Sequence, residues 1–209
     1  MTFTYDAKSQ AQTTPRKALD ELLEGNRRFQ SGTTETRDLR RQIAATREGQ
    51  WPIAAILSCI DSRVSAELVF DAGIGTVFSA RVAGNFVNDD LLGSLEYGCK
   101  VAGAPLLMVL GHTACGAIKG ACDGVELGHV TGLLQKLRPA VDAVTEPADP
   151  AQRTSENRAF VDAVVRRNVE RTVAAIREQS SVLSELEASG AIQIVGAVYD
   201  LETGAVELT

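Results

Sequence analysis

The chain reads as an α/β protein: a central, mainly parallel four-stranded sheet with an antiparallel C-terminal edge strand, flanked by helices. Three observations predict this. The apolar runs "PIAAILS" (52–58), "GTVFSARVA" (75–83) and "APLLMVLG" (104–111) are short and unalternated, as strands covered on both faces of a parallel sheet are. Stretches with helical periodicity lie between them. Near the end, "AIQIVGAVYD" runs through the turn "LETG" into "AVEL", a fourth strand folding back into a short edge strand.

The elements follow in order. Thr14-Pro15 starts a helix, with an N-cap residue ahead of proline at the first helical position. Leu19, Leu22, Leu23 and Phe29 give it an apolar face, and Gly32 is a stop. A second, polar helix runs over about 38–47. After the first two strands, "DDLLGSLEYGCKVAG" (89–103) is helical. A helix is expected to begin at Cys115, "VTEPADPAQ" (144–152) reads as a surface linker, and a long helix covers 154–178. In that helix Phe160, Val161, Val164, Val165, Val169, Val173 and Ile176 share one buried stripe. The whole reads as one domain, 1–209, with a helical arm over 1–50 and an α/β core over 51–209.

Charge excludes some functions. A net charge of −6 and a pI near 5.0 leave no basic stripe to displace counterions from a phosphate backbone, so no nucleic-acid partner is expected. The pairs Arg27-Arg28, Arg40-Arg41 and Arg166-Arg167 have acidic neighbours and read as solvated faces. No apolar stretch approaches the ~18 residues that span a bilayer, so no membrane partner is expected, and the polar start lacks a signal pattern. The cytoplasm is the default compartment; a mature exported chain with its leader replaced by methionine would look the same. Four cysteines, Cys59, Cys99, Cys115 and Cys122, do not make a disulfide scaffold in a core this large, which leaves metal binding or plain burial.

In an open parallel sheet, ligands gather beyond the carboxyl ends of the strands, where strand order reverses. Two loops leaving such ends carry metal-ligand types: "SCIDSR" after strand one and "GHTACGAIKG" after strand three. If those strands are neighbours, with strand two on the far side of strand one, Cys59, His112 and Cys115 converge. Two thiolates and an imidazole suit zinc, and three protein ligands leave a fourth position open, as in catalytic sites. Cys115 at a helix start would be favoured as thiolate, and Gly116 beside it admits a close backbone approach. Blander readings compete: Cys59 as core, His112 as a capping or core residue, Asp61 and Arg63 as a surface ion pair. Cys99 and Cys122 read as structural, and His129 as surface with at most a weak proton-shuttle role.

C-x-D-x-R at 59–63, "RVAGN" at 81–85 and "GHTACG" at 111–116, in that order, resemble the β-class carbonic anhydrases over nearly the whole chain. The resemblance implies one Zn²⁺ per subunit on Cys59, His112 and Cys115, with Asp61 and Arg63 as the dyad beside it. It implies a homodimer, often paired into a homotetramer, with the N-terminal helices packed on the partner subunit. The implied reaction is the reversible hydration of CO2 to bicarbonate by zinc-bound hydroxide. Arg63 would keep Asp61 an acceptor and off the metal.

Within the class the chain resembles the plant-like subfamily. Gln50, nine residues before Cys59, matches a substrate donor, and Phe78, Ala83 and Tyr97 match pocket residues, some donated across the dimer. Ala83 stands where valine is common, implying a wider pocket. The bicarbonate-switched subfamily carries tryptophan where this chain has Ile56, so no such regulation is expected; Arg81 matches a switch residue too widely shared to decide. Two alternatives remain: a carbonyl sulfide or carbon disulfide hydrolase on the same scaffold, or a non-catalytic zinc scaffold protein.

Overall fold

A computed structural model describes residues 3–209. Helices α1 (Ala7–Ala11), α2 (Pro15–Ser31) and α3 (Leu39–Thr46) precede strand β1 (Ala54–Ser58). Then come α4 (Ala66–Val69), β2 (Val77–Arg81), α5 (Asp89–Glu96) with a π-helical turn at Tyr97–Val101, and β3 (Leu106–His112). The rest comprises α6 (Gly116–Asp123), α7 (Gly128–Ala143), α8 (Arg158–Gln179), α9 (Ser181–Ala188), β4 (Gln193–Tyr199) and β5 (Val206–Leu208).

The sheet order is β2-β1-β3-β4-β5. The first three pairings are parallel and β4–β5 is antiparallel, as the sequence pattern predicts. Both faces of the central strands are covered. Ile56, Met108 and Leu110 pack with α2 and α4 on one face. Ala55, Leu57, Leu107 and Val109 face the side covered by α5, α8 and α9. This two-sided burial explains why β1 and β3 are apolar at nearly every position.

Local signals act as read. The Thr14 hydroxyl accepts from Lys17 N–H ahead of Pro15, and Gly32 closes α2 with φ 68°, a left-handed cap that suits glycine. Glycine also sets the spacing of α8 on the sheet. A Cβ on Gly111 would meet Val169 Cγ2 at 2.6 Å, and one on Gly196 would meet Val169 Cγ1 at 2.7 Å.

Ala18, Leu19 and Leu22 of α2 are buried against the apolar face of β1 and β3. On α3, Leu39 and Ile43 are exposed. Among the described residues, no helix is long and apolar enough to cross a membrane.

Candidate metal centre

β1 lies between β2 and β3, so the chain leaves neighbouring strands in opposite directions beyond their carboxyl ends and opens a crevice there. Cys59 follows the last residue of β1, His112 is the last residue of β3, and Cys115 caps α6. Their ligand atoms lie within 4.8 Å of one another, and all three residues are buried.

The donor set fits zinc. Two sulfurs each about 2.3 Å from a tetrahedral zinc lie about 3.8 Å apart, and the Sγ atoms of Cys59 and Cys115 are 3.9 Å apart. His112 Nδ1 lies 2.9 Å from the Thr113 carbonyl, which accepts a hydrogen bond and so places the proton on Nδ1. That leaves the Nε2 lone pair for a metal. Nε2 is buried and has no protein hydrogen-bond partner, an orphan that a metal ion would satisfy.

The two sulfurs lie within hydrogen-bond distance of one another. The hydrogen bond with Cys115 lowers the Cys59 pKa, opposed by burial and helped by His112 and by the Gly84 and Asp61 N–H groups. The same bond and burial raise Cys115, opposed by the N–H groups of Ala117 and Ile118 in the first turn of α6. Two thiolates at this separation repel one another, so a divalent cation is what stabilises both.

Asp61 stands beside the cluster, its Oδ2 3.9 Å from His112 Nε2. Arg63 binds it twice, Nε to Oδ1 at 2.9 Å and Nη2 to Oδ2 at 2.7 Å, and its backbone N–H adds a third bond at 3.0 Å. These bonds hold the carboxyl well below the usual carboxylate range. Arg81 donates to the carbonyls of Cys59 at 2.9 Å and Asp61 at 2.8 Å, tying the loop to the end of β2. On the other loop, the Thr113 N–H donates to Tyr199 O and its hydroxyl accepts from Leu201 N. Ala114 in the same loop has a φ of 54°, unusual for a residue with a Cβ.

Other expected site residues fall elsewhere. Ala83 is next to Gly84, whose N–H lies 3.4 Å from Cys59 Sγ. Phe78 pairs with Ala55, four residues from Cys59 and thus about 13 Å away along the strand. It shares a cleft of about 610 Å³ with Tyr97, their ring centroids 6.2 Å apart. Gln50 is exposed and precedes the opposite end of β1. The chain therefore does not bring Gln50, Phe78 and Tyr97 to its own metal ligands. Gly116 is exposed, and the space where its Cβ would be is open. Ile60 is 60% exposed, because the strand whose alternation would turn it inward ends at Ser58. His129 is exposed, and Cys99 and Cys122 are buried and, among the described residues, not part of the converging ligand set, as expected.

A mainly parallel sheet carrying a Cys-His-Cys cluster and a guarded aspartate at its switch point defines a class of zinc enzyme. Residues 54–206 match the carbonic anhydrase family model, and the chain belongs to the β-class carbonic anhydrase family. It is 38% identical over 200 residues to carbonic anhydrase 2 of Mycobacterium tuberculosis, covering 94% of this chain and 93% of that one. Its fold is similar to that of the β-carbonic anhydrase of Coccomyxa solved with acetazolamide (TM-score 0.69, 26% identity, 91% and 85% of the two chains). It is also similar in fold to the tetrameric β-carbonic anhydrases of Sordaria macrospora (TM-score 0.68, 21% identity, 91% and 93%).

Proposed function

We infer that the chain is a zinc-dependent carbonic anhydrase interconverting CO2 and bicarbonate, with one zinc per subunit held by Cys59, His112 and Cys115. The observation that carries this is three buried metal donors, one of them an orphaned histidine nitrogen, beside a carboxylate kept ionised and turned toward Arg63. When bound, zinc supplies the acidity that turns water into a nucleophile at neutral pH.

The chain's own residues do the rest. Asp61, ionised and without a proton to give, would accept a hydrogen bond from the nucleophilic oxygen and so turn its lone pairs toward CO2. Arg63 keeps Asp61 in that role and out of the fourth ligand position. The buried walls around Cys59 and Cys115 admit a small apolar molecule such as CO2 and exclude bulk water.

We further propose that the working unit is a homodimer. Strand β2 is a sheet edge carrying the half-buried Phe78, and such edges invite a second strand. Pairing there would bring Gln50, Phe78 and Tyr97 of one copy toward the zinc of the other, and Ala83 would widen that pocket. These residues support the plant-like subfamily. Two dimers would make a tetramer of the kind named for the Sordaria enzymes. Each subunit works as one domain, since α2 shares a core with β1 and β3. Thiolate ligands require reduced cysteines, which suits the cytoplasm.

Stopped-flow rates on CO2 and on carbonyl sulfide test the assignment. The amide and hydroxyl of Gln50 and Tyr97 suit bicarbonate, so turnover of CO2 should exceed that of carbonyl sulfide by orders of magnitude. Comparable rates, or a faster rate on carbonyl sulfide, would reassign the enzyme.

A further inference from the structure

Helix α8 packs an apolar stripe on the sheet, interrupted by one side-chain amide. Asn168 is 4% exposed amid Val164, Val165 and Val169, also buried. A buried amide on such a face is costly unless its hydrogen bonds are made. Asn168 Nδ2 donates to the Gly84 carbonyl at 2.8 Å, a bond that only the NH2 end can make to a carbonyl.

Gly84 belongs to a tight turn in which Asn85 N–H donates to Val82 O at 3.0 Å. Its φ is 80°, the value that the third residue of a type II turn requires. A Cβ there would meet Leu137 Cδ1 at 2.6 Å, so the position is closed to other residues on both counts. The Gly84 N–H points at Cys59 Sγ, 3.4 Å away. An N–H bond to a ligating sulfur draws off part of the thiolate charge and fixes the direction of its lone pairs, both of which tune the metal it holds.

We propose that Asn168 is a positioning residue for Cys59, acting through Gly84: the amide anchors the turn by its carbonyl so that the turn's N–H stays on the sulfur. This rests on the reading of Cys59 as a zinc ligand. The relay spans three elements far apart in sequence, α8, the turn after β2 and the loop after β1. It gives a buried asparagine in a packing helix a task at the metal.

The test uses the full chain loaded with ¹¹³Cd in place of zinc, studied by NMR, together with the rate at which the zinc form loses metal to a chelator. In the wild type, the Gly84 amide proton should show scalar coupling to ¹¹³Cd through the sulfur, and the Asn168 side-chain nitrogen should couple to the Gly84 carbonyl carbon. Asn168→Leu and Asn168→Asp should lose the Gly84–cadmium coupling and release zinc about tenfold faster. Thr172→Val, a buried polar change one turn along α8, should release zinc within about twofold of wild type and so separates a loosened helix from a loosened ligand. Failure to bind one ¹¹³Cd per chain would overturn the metal-site reading itself. A loaded wild type lacking either coupling would overturn the relay, as would a folded Asn168 variant with unchanged coupling and release. If neither variant folds, the two wild-type couplings decide: both present sustain the relay, either missing ends it.

Discussion

Arg63 and Asp61 form a two-pronged ion pair, Nε on Oδ1 at 2.9 Å and Nη2 on Oδ2 at 2.7 Å, at the lip of the metal cluster. The Asp61 side chain is 15% exposed and that of Arg63 56% exposed, so for stability the pair counts little. In the proposed function its weight is catalytic, since it sets which way the carboxylate faces.

Arg63→Ala should therefore leave folding intact and lower CO2 hydration by about 100-fold, the scale of losing one preorganised charged partner. Zinc content should stay at one per chain, and X-ray absorption at the zinc edge should show a carboxylate oxygen from Asp61 in place of water, with its carboxyl carbon as a further scatterer. Arg63→Lys, which cannot bind both carboxylate oxygens, should fall in between. Near-wild-type turnover in Arg63→Ala would refute the guarding role.

Activity should rise with pH. Zn²⁺, two thiolates and a neutral histidine sum to zero charge, so the metal withdraws less from its water than one held by neutral ligands alone. Asp61 adds no limb near neutrality, because the bonds from Arg63 keep it ionised far below that range. A steady-state profile rising from about pH 6 to 9 is expected, and a flat one would count against this charge balance.

Asp71 should govern acid stability. Its side chain is 3% exposed and is bound by Arg28 at 2.6 Å and by Arg37. Burial pushes its pKa up, but the two guanidinium hydrogen bonds outweigh that and the net direction is down. A depressed carboxyl stabilises the fold above its unfolded pKa of about 3.9 and loses that contribution as pH falls further. Asp71→Asn should cost about 3 kcal/mol at neutral pH, because it removes the buried charge that Arg28 and Arg37 share and leaves them only the exposed Glu35. Urea melts at pH 7 and pH 3 check both parts: the gap between wild type and variant should narrow in acid.

Gly84→Ala places a Cβ at positive φ and against Leu137. It should destabilise the chain by about 2 kcal/mol and hasten zinc loss, since the displaced N–H serves Cys59. Thermal melts of the zinc form and release to a chelator read the two effects separately.

Much of this was legible in residues with local jobs. Thr14-Pro15 and Gly32 bound α2 because capping is a short-range matter, and Cys59, His112 and Cys115 stood out because strand ends and spacing locate them. Other parts depend on tertiary context. Helix α7 contains Gly132 and Pro139, which mask the stripe of Leu134, Leu137 and Val141 that packs beneath Cys115. Asn168 reads from sequence as a polar gap in an apolar face, and only the approach of Gly84 gives it a purpose. Ile60 follows an alternating pattern past the point where the strand that enforces it has ended.

The most direct test of the account is stopped-flow CO2 hydration by the wild type and by Cys59→Ser, each assayed as purified, after removal of zinc by a chelator, and after zinc is restored. Wild-type activity should fall to the uncatalysed rate on removal and return in proportion to zinc up to one per chain, while Cys59→Ser stays inactive and binds zinc far more weakly. Full turnover in the zinc-free wild type, or undiminished zinc binding and activity in Cys59→Ser, would contradict it.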